Sequence, residues 1–144
     1  MKKLLVLFPL LLLCLLATAC GGPQPSRESR AERSKPRVAI GGDTVTLRRP
    51  PAPNVAIAVD GTLRIDDIRL PLAAPQQQKL QQAFMQWQML RQQLVLDGRL
   101  NAQTRVLSVT APPALQSLQQ ELMQDIPELR PYKESFGNLK AEWH

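Results

Sequence analysis

The chain has a single histidine, His144, the last of its 144 residues. A Ser-His-Asp or Cys-His arrangement therefore has no general base in the body of the protein, which argues against a conventional hydrolase. Cysteine is almost as scarce. Cys14 and Cys20 both fall in the first twenty residues, so no disulfide joins the remainder and packing must hold it together. Aromatic residues make up only 4% of the chain and no basic run in the body exceeds Arg48-Arg49, which leaves nucleic acid with neither a stacking platform nor a cationic track. GxxxxGK, GxGxxG and paired CxxC motifs are missing, and with them any sign of nucleotide or zinc chemistry. The sequence thus implies no catalytic set, no cofactor and no metal. What remains is 44% hydrophobic, enough for one domain with a modest core.

The net charge of +6 is unevenly spread. Arg27, Arg30, Arg33, Lys35 and Arg37 crowd one short stretch with Glu28 and Glu32, whereas Val38 to His144 carries 11 basic and 10 acidic residues. The folded part is close to neutral. The high isoelectric point belongs to the N-terminal region.

Met1-Lys2-Lys3, the apolar run Leu4 to Ala19 and the small residues Ala17-Thr18-Ala19 before Cys20 form the three regions of a secretory signal peptide. The run is 16 residues long and holds Pro9, short of the roughly 20 apolar residues a spanning helix needs. These residues resemble a bacterial lipoprotein signal, which implies diacylglyceryl transfer to Cys20, cleavage before it and acylation of the new amine. The other possibility is cleavage by the general signal peptidase at Ala17-Thr18-Ala19, leaving Cys20 a free thiol. Two or three acyl chains on Cys20 hold a protein stably at a bilayer, which one chain does not. In a two-membrane bacterium the same resemblance implies, from Gly21 in place of an aspartate, outer-membrane sorting on the periplasmic side. Residues 1–19 are accordingly expected to be removed and 20–37 to form a lipidated cysteine and flexible tether, since the segment lacks apolar periodicity. Its reach is roughly 20 to 25 Å. The five cations would either attract anionic headgroups or merely keep the spacer soluble.

Residues 38–144 are expected to form a single α+β domain: an antiparallel β-meander of two hairpins over 38–72, two or three helices packed on it over 75–126, and a loose tail over 127–144. Val38-Ala39-Ile40 and Thr44-Val45-Thr46-Leu47 flank Gly41-Gly42-Asp43, where glycine would supply a positive φ. Ala56 to Val59 and Thr62 to Ile65 flank Asp60-Gly61, and Ile68-Arg69-Leu70 follows Asp66-Asp67. Pro75 opens a helix running to Leu96 before Asp97-Gly98. At about 100° per residue, Leu80, Ala83, Phe84, Trp87, Leu90, Leu94 and Val95 share one arc, and Met85, Met89 and Leu96 form a second stripe nearly opposite. A helix from Pro112-Pro113 to Ile126, apolar at Leu115, Leu118 and Leu122, would close over the Met85-Met89 side; left open, that side would be a groove for a partner helix or acyl chain. Residues 99–109 fit either helix or strand.

Ile40-Gly41-Gly42-Asp43-Thr44-Val45-Thr46-Leu47, Asp60-Gly61-Thr62-Leu63-Arg64-Ile65-Asp66 and the Leu70-x-Leu72 to Gln76 junction resemble the YggN-like bacterial envelope proteins, over under half of the mature chain. The resemblance implies no activity and no functional residue.

Two sets of side chains merit weighing as sites. Asp43, Asp60, Asp66 and Asp67 would either gather Ca²⁺ or serve their turns, and no Asp-x-Asp-x-Asp-Gly loop is present. Arg91 falls inside the main apolar arc, where its head must reach solvent or an Asp66-Asp67 carboxylate, or else recognise an anion at the mouth of a cleft. The candidate partner or ligand face is thus Met85, Met89, Arg91 and Leu96. Two roles follow: a membrane-anchored, non-enzymatic envelope module contacting another protein, or a periplasmic carrier shielding an acyl chain between its helices.

Overall fold

The computed structural model describes residues 29–144, and Ser34–His144 is the compact unit that holds the sheet. The signal segment, Cys20 and the tether up to residue 28 lie outside the described residues. The part of the expected tether that is described is not all irregular. Arg30–Ser34 forms a short helix, α1, and the first strand starts within that span at Arg37. Ser29 supplies the helix start by accepting the Glu32 amide at 3.3 Å through its hydroxyl, the Ser-x-x-Glu pattern of an N-terminal cap.

The fold is α+β. Seven strands, β1 (Arg37–Ile40), β2 (Thr44–Arg48), β3 (Val55–Ala58), β4 (Leu63–Ile65), β5 (Ile68–Leu70), β6 (Val106–Val109) and β7 (Leu139–Glu142), form one sheet in the order β5-β4-β3-β2-β1-β7-β6. β1 to β5 are the expected antiparallel meander. Its registers, Val38 opposite Leu47, Val45 opposite Ile57 and Ile57 opposite Leu63, put every large β-branched or leucine side chain of these strands on one face.

The turns follow local chemistry, with two corrections. Asp66 and Asp67 both take positive φ, 52° and 65°, as a two-residue primed turn requires. The β3–β4 loop is instead three residues, 59–61: the Ala58 amide donates to Thr62, the Gly61 amide donates to Ala58, and Gly61 sits at φ 75°. Positive φ was also the expected use of Gly41-Gly42, and neither adopts it. What glycine provides there is close approach: a Cβ on Gly42 would lie 3.0 Å from the His144 carbonyl oxygen, a tight contact.

Helix α2 (Ala74–Leu96) lies on the apolar face, burying Leu80, Ala83, Phe84, Trp87 and Leu94. It ends as the sequence predicts: Gly98 is left-handed at φ 69°, and the Gly98 and Arg99 amides donate to Val95 and Leu94, a Schellman closure. Leu100, fully buried against Leu94, locks the turn. Helix α3 (Pro113–Asp125) starts with Pro113 at its first position and buries Leu115, Leu118 and Leu122. Residues 99–109 resolve into a loop followed by β6, a strand.

The region after Pro127 is not a loose tail. A 3-10 turn (Pro127–Tyr132) and helix α4 (Lys133–Phe136) bury Leu129, Tyr132 and Phe136 in the main core, where Phe136 stacks on Trp87 with ring centroids 6.3 Å apart. The Tyr132 hydroxyl donates to the Pro53 carbonyl, and burial pushes that phenol above its ordinary range. β7 then inserts between β1 and β6, parallel to β1. The strand alternates Leu139 and Ala141 inward with Lys140 and Glu142 less buried, a period-two signal four residues long. So short a run gains its stability only from neighbours on both sides.

Candidate functional site

Helix α3 does not cover the second stripe of α2. Met85, Met89 and Leu96 remain 55%, 68% and 77% exposed, contrary to the expectation that α3 would close over the Met85-Met89 side. The reason is that α3 has one apolar stripe, and it is used up against the core that the sheet, the 3-10 turn and α4 complete. The two helices are fastened where the start of α2 meets the end of α3: Lys79 pairs with Glu121 at 3.1 Å and with Asp125, and Gln76 donates to the Asp125 carbonyl at 2.7 Å. Those carboxylates raise the Lys79 pKa above its ordinary value.

At the opposite end, a groove of about 690 Å³ opens between the last three turns of α2 and the first turn of α3. Leu90 and Leu115 belong to its apolar lining with Met89, Leu96, Pro112 and Ala114, while Gln86, Gln92 and Gln93 bring neutral amides and Asp97 the one charge. From Gln86 to Asp97 the α2 side runs about 17 Å.

Arg91 takes no part in this groove. Two residues from Met89, it projects about 160° away around the helix, toward the end of β7. There its Nε donates to the Glu142 carbonyl at 2.8 Å and its terminal nitrogen to the His144 carbonyl at 3.2 Å. The partner is thus main-chain oxygen, not the Asp66-Asp67 carboxylates, which sit in the β4–β5 turn. The structure brings Met89 and Leu96 together at the groove, places Met85 one turn back on the same exposed stripe, and sets Arg91 on the sheet side as a clamp on the β7 end.

Asp60, Asp66 and Asp67 serve their turns. Asp60 accepts the Thr62 amide at 2.9 Å, which holds its carboxyl below the ordinary range, and Asp66 and Asp67 are themselves the turn residues. Among the described residues no three of His, Cys, Asp and Glu gather as a metal site. No helix among them is long and apolar enough to cross a membrane.

The groove draws on residues outside the Met85-Met89-Leu96 stripe: Leu90 and Leu115, assigned to the core-facing stripes of their helices, and Pro112 and Ala114, which meet α2 only through tertiary packing. Gln119 is a further surprise, 3% exposed among leucines. Its position was visible in the sequence, since at about 100° per residue it falls about 40° from Leu115 and about 60° from Leu122, within the apolar face.

No family model, no curated protein and no solved structure matches the chain.

Proposed function

We propose that this chain is a lipid-anchored, non-enzymatic module of the bacterial envelope that seats an amphipathic helix of a partner protein in the α2–α3 groove. The observation that carries the proposal is the groove itself, an apolar trough rimmed by amides and continuous with exposed Met89 and Leu96. Helix-in-groove recognition uses apolar anchors at i, i+3, i+4 and i+7, about two turns or 11 Å, and the α2 side of the groove, about 17 Å long, accommodates that span. Methionine suits such a surface because its unbranched thioether adapts to varied side chains. The openness of the trough favours a helix over an acyl chain, which a carrier would enclose on most sides. The anchor rests on the signal pattern ending at Cys20, and Gly21 supports the outer membrane, facing the periplasm, as its location.

A photocrosslinking amino acid placed at Met89 in intact cells tests the partner. The expected result is a protein adduct that disappears with Leu96→Glu and does not form from the exposed position Glu128. An adduct with lipid only would replace the proposal with a carrier, and no adduct would overturn both. Cys20→Ser tests the anchor separately: acyl label and envelope retention should both be lost.

A further inference from the structure

A second cavity, of about 430 Å³, lies between α3, α4 and the adjoining ends of β6 and β7. Its apolar wall includes Val109, Met123, Phe136 and Leu139, and its polar groups include Gln119 and Lys133. Gln119 is buried, yet its Nε2 has no hydrogen-bond partner. A buried donor left unpaired is destabilising, and leucine at this position would complete the α3 stripe without that cost. The neighbouring Gln116 is already committed, donating to the Ala111 carbonyl at 2.8 Å. Lys133 is exposed and makes no ion pair among the described residues, and no carboxylate lines the cavity. The site therefore offers a neutral donor, a cation and apolar walls, with neutral oxygens but no carboxylate to pair with an amine.

We infer that this cavity binds a small apolar molecule through its carboxylate, with Gln119 Nε2 donating to one oxygen, Lys133 balancing the charge and the apolar wall taking the chain. Such a group ends both free alkyl acids and peptides. The site is separate from the α2–α3 groove, and the inference does not depend on the role proposed for that groove.

Calorimetric titration of the full chain with hexanoate, acetyl-leucine and hexanamide provides the test. One or both acids should bind, with hexanamide at least about tenfold weaker. Tighter hexanoate assigns the site to alkyl acids, tighter acetyl-leucine to peptide ends. Gln119→Leu and Lys133→Gln should each weaken the acid at least about tenfold, while Gln119→Leu raises Tm by about 4 °C as the unpaired donor is removed. Lys133→Gln, at an exposed position, keeps the test open if the core variant fails to fold. Absence of binding by both acids at millimolar concentration, or binding unchanged in the variants, would overturn the inference. A lowered Tm in Gln119→Leu would do the same, since it would make the amide a structural partner.

Discussion

Two glycines of this fold share the same backbone region and differ in what surrounds them. Gly61, in the β3–β4 loop, and Gly98, after α2, have φ 75° and 69°. An alanine Cβ at Gly98 would meet nothing within 4 Å, whereas at Gly61 it would lie 2.3 Å from the Gln77 carbonyl oxygen and 3.0 Å from the Cγ atoms of Gln77 and Gln81. Those two glutamines fasten the turn to α2, both donating to the Asp60 carbonyl, at 2.9 and 3.1 Å. Gly98→Ala should thus cost only the left-handed strain, about 1 to 2 kcal/mol, partly offset by a stiffer unfolded chain. Gly61→Ala adds an overlap with helical backbone that cannot rotate away, about 1 to 3 kcal/mol more, and disturbs the two amide bonds. The expected totals are about 1 and about 3 kcal/mol, equivalent to Tm losses of about 4 and about 12 °C for a domain of this size. Urea unfolding with unchanged m values is the assay. If Gly61→Ala costs no more than Gly98→Ala, the meander is not docked on α2 as described.

Arg91→Leu should lower stability by about 1 to 3 kcal/mol, because it removes charge-assisted bonds to the Glu142 and His144 carbonyls and frees the β7 end; an unchanged or higher melting temperature would contradict this. Tyr132→Phe leaves the Pro53 carbonyl without its donor and should cost about 1 kcal/mol near neutral pH. Since burial raises the Tyr132 pKa in the fold, its protonated form is favoured there: the stabilisation is complete below the ordinary phenol value of about 10 and is lost as pH rises from there through the folded value. Alkaline melts should therefore converge for wild type and Tyr132→Phe. Met89→Glu, at an exposed position, should change stability by less than about 0.5 kcal/mol while abolishing crosslinking to the helix partner from a photocrosslinking amino acid placed instead at Gln93 on the groove wall. Phe136→Ala should cost about 3 to 5 kcal/mol as measured by denaturant unfolding, a loss that no loosely attached tail would produce.

Local chemistry by itself determined the meander, the two long helices and their limits. Asp60-Gly61, Asp66-Asp67 and Asp97-Gly98 encode left-handed backbone within a few residues, Pro75 and Pro113 mark helix starts, and Leu80 to Leu94 declares a buried face through its spacing. All of these are short-range effects, written in neighbouring residues. Tertiary structure decided the rest. Leu139 to Glu142 becomes a central strand only because β1 and β6 offer it two edges, and nothing near it in sequence announces those partners. The close fit at Gly42 is set by the His144 carbonyl, about a hundred residues downstream. Whether the Met85-Met89 stripe would be covered depended on where α3 spent its single apolar face, and whether Arg91 would face a ligand or clamp β7 depended on where the chain's last residues came to rest. Such outcomes are set by competition among distant surfaces for the same contacts, so the periodicity of one segment cannot contain them.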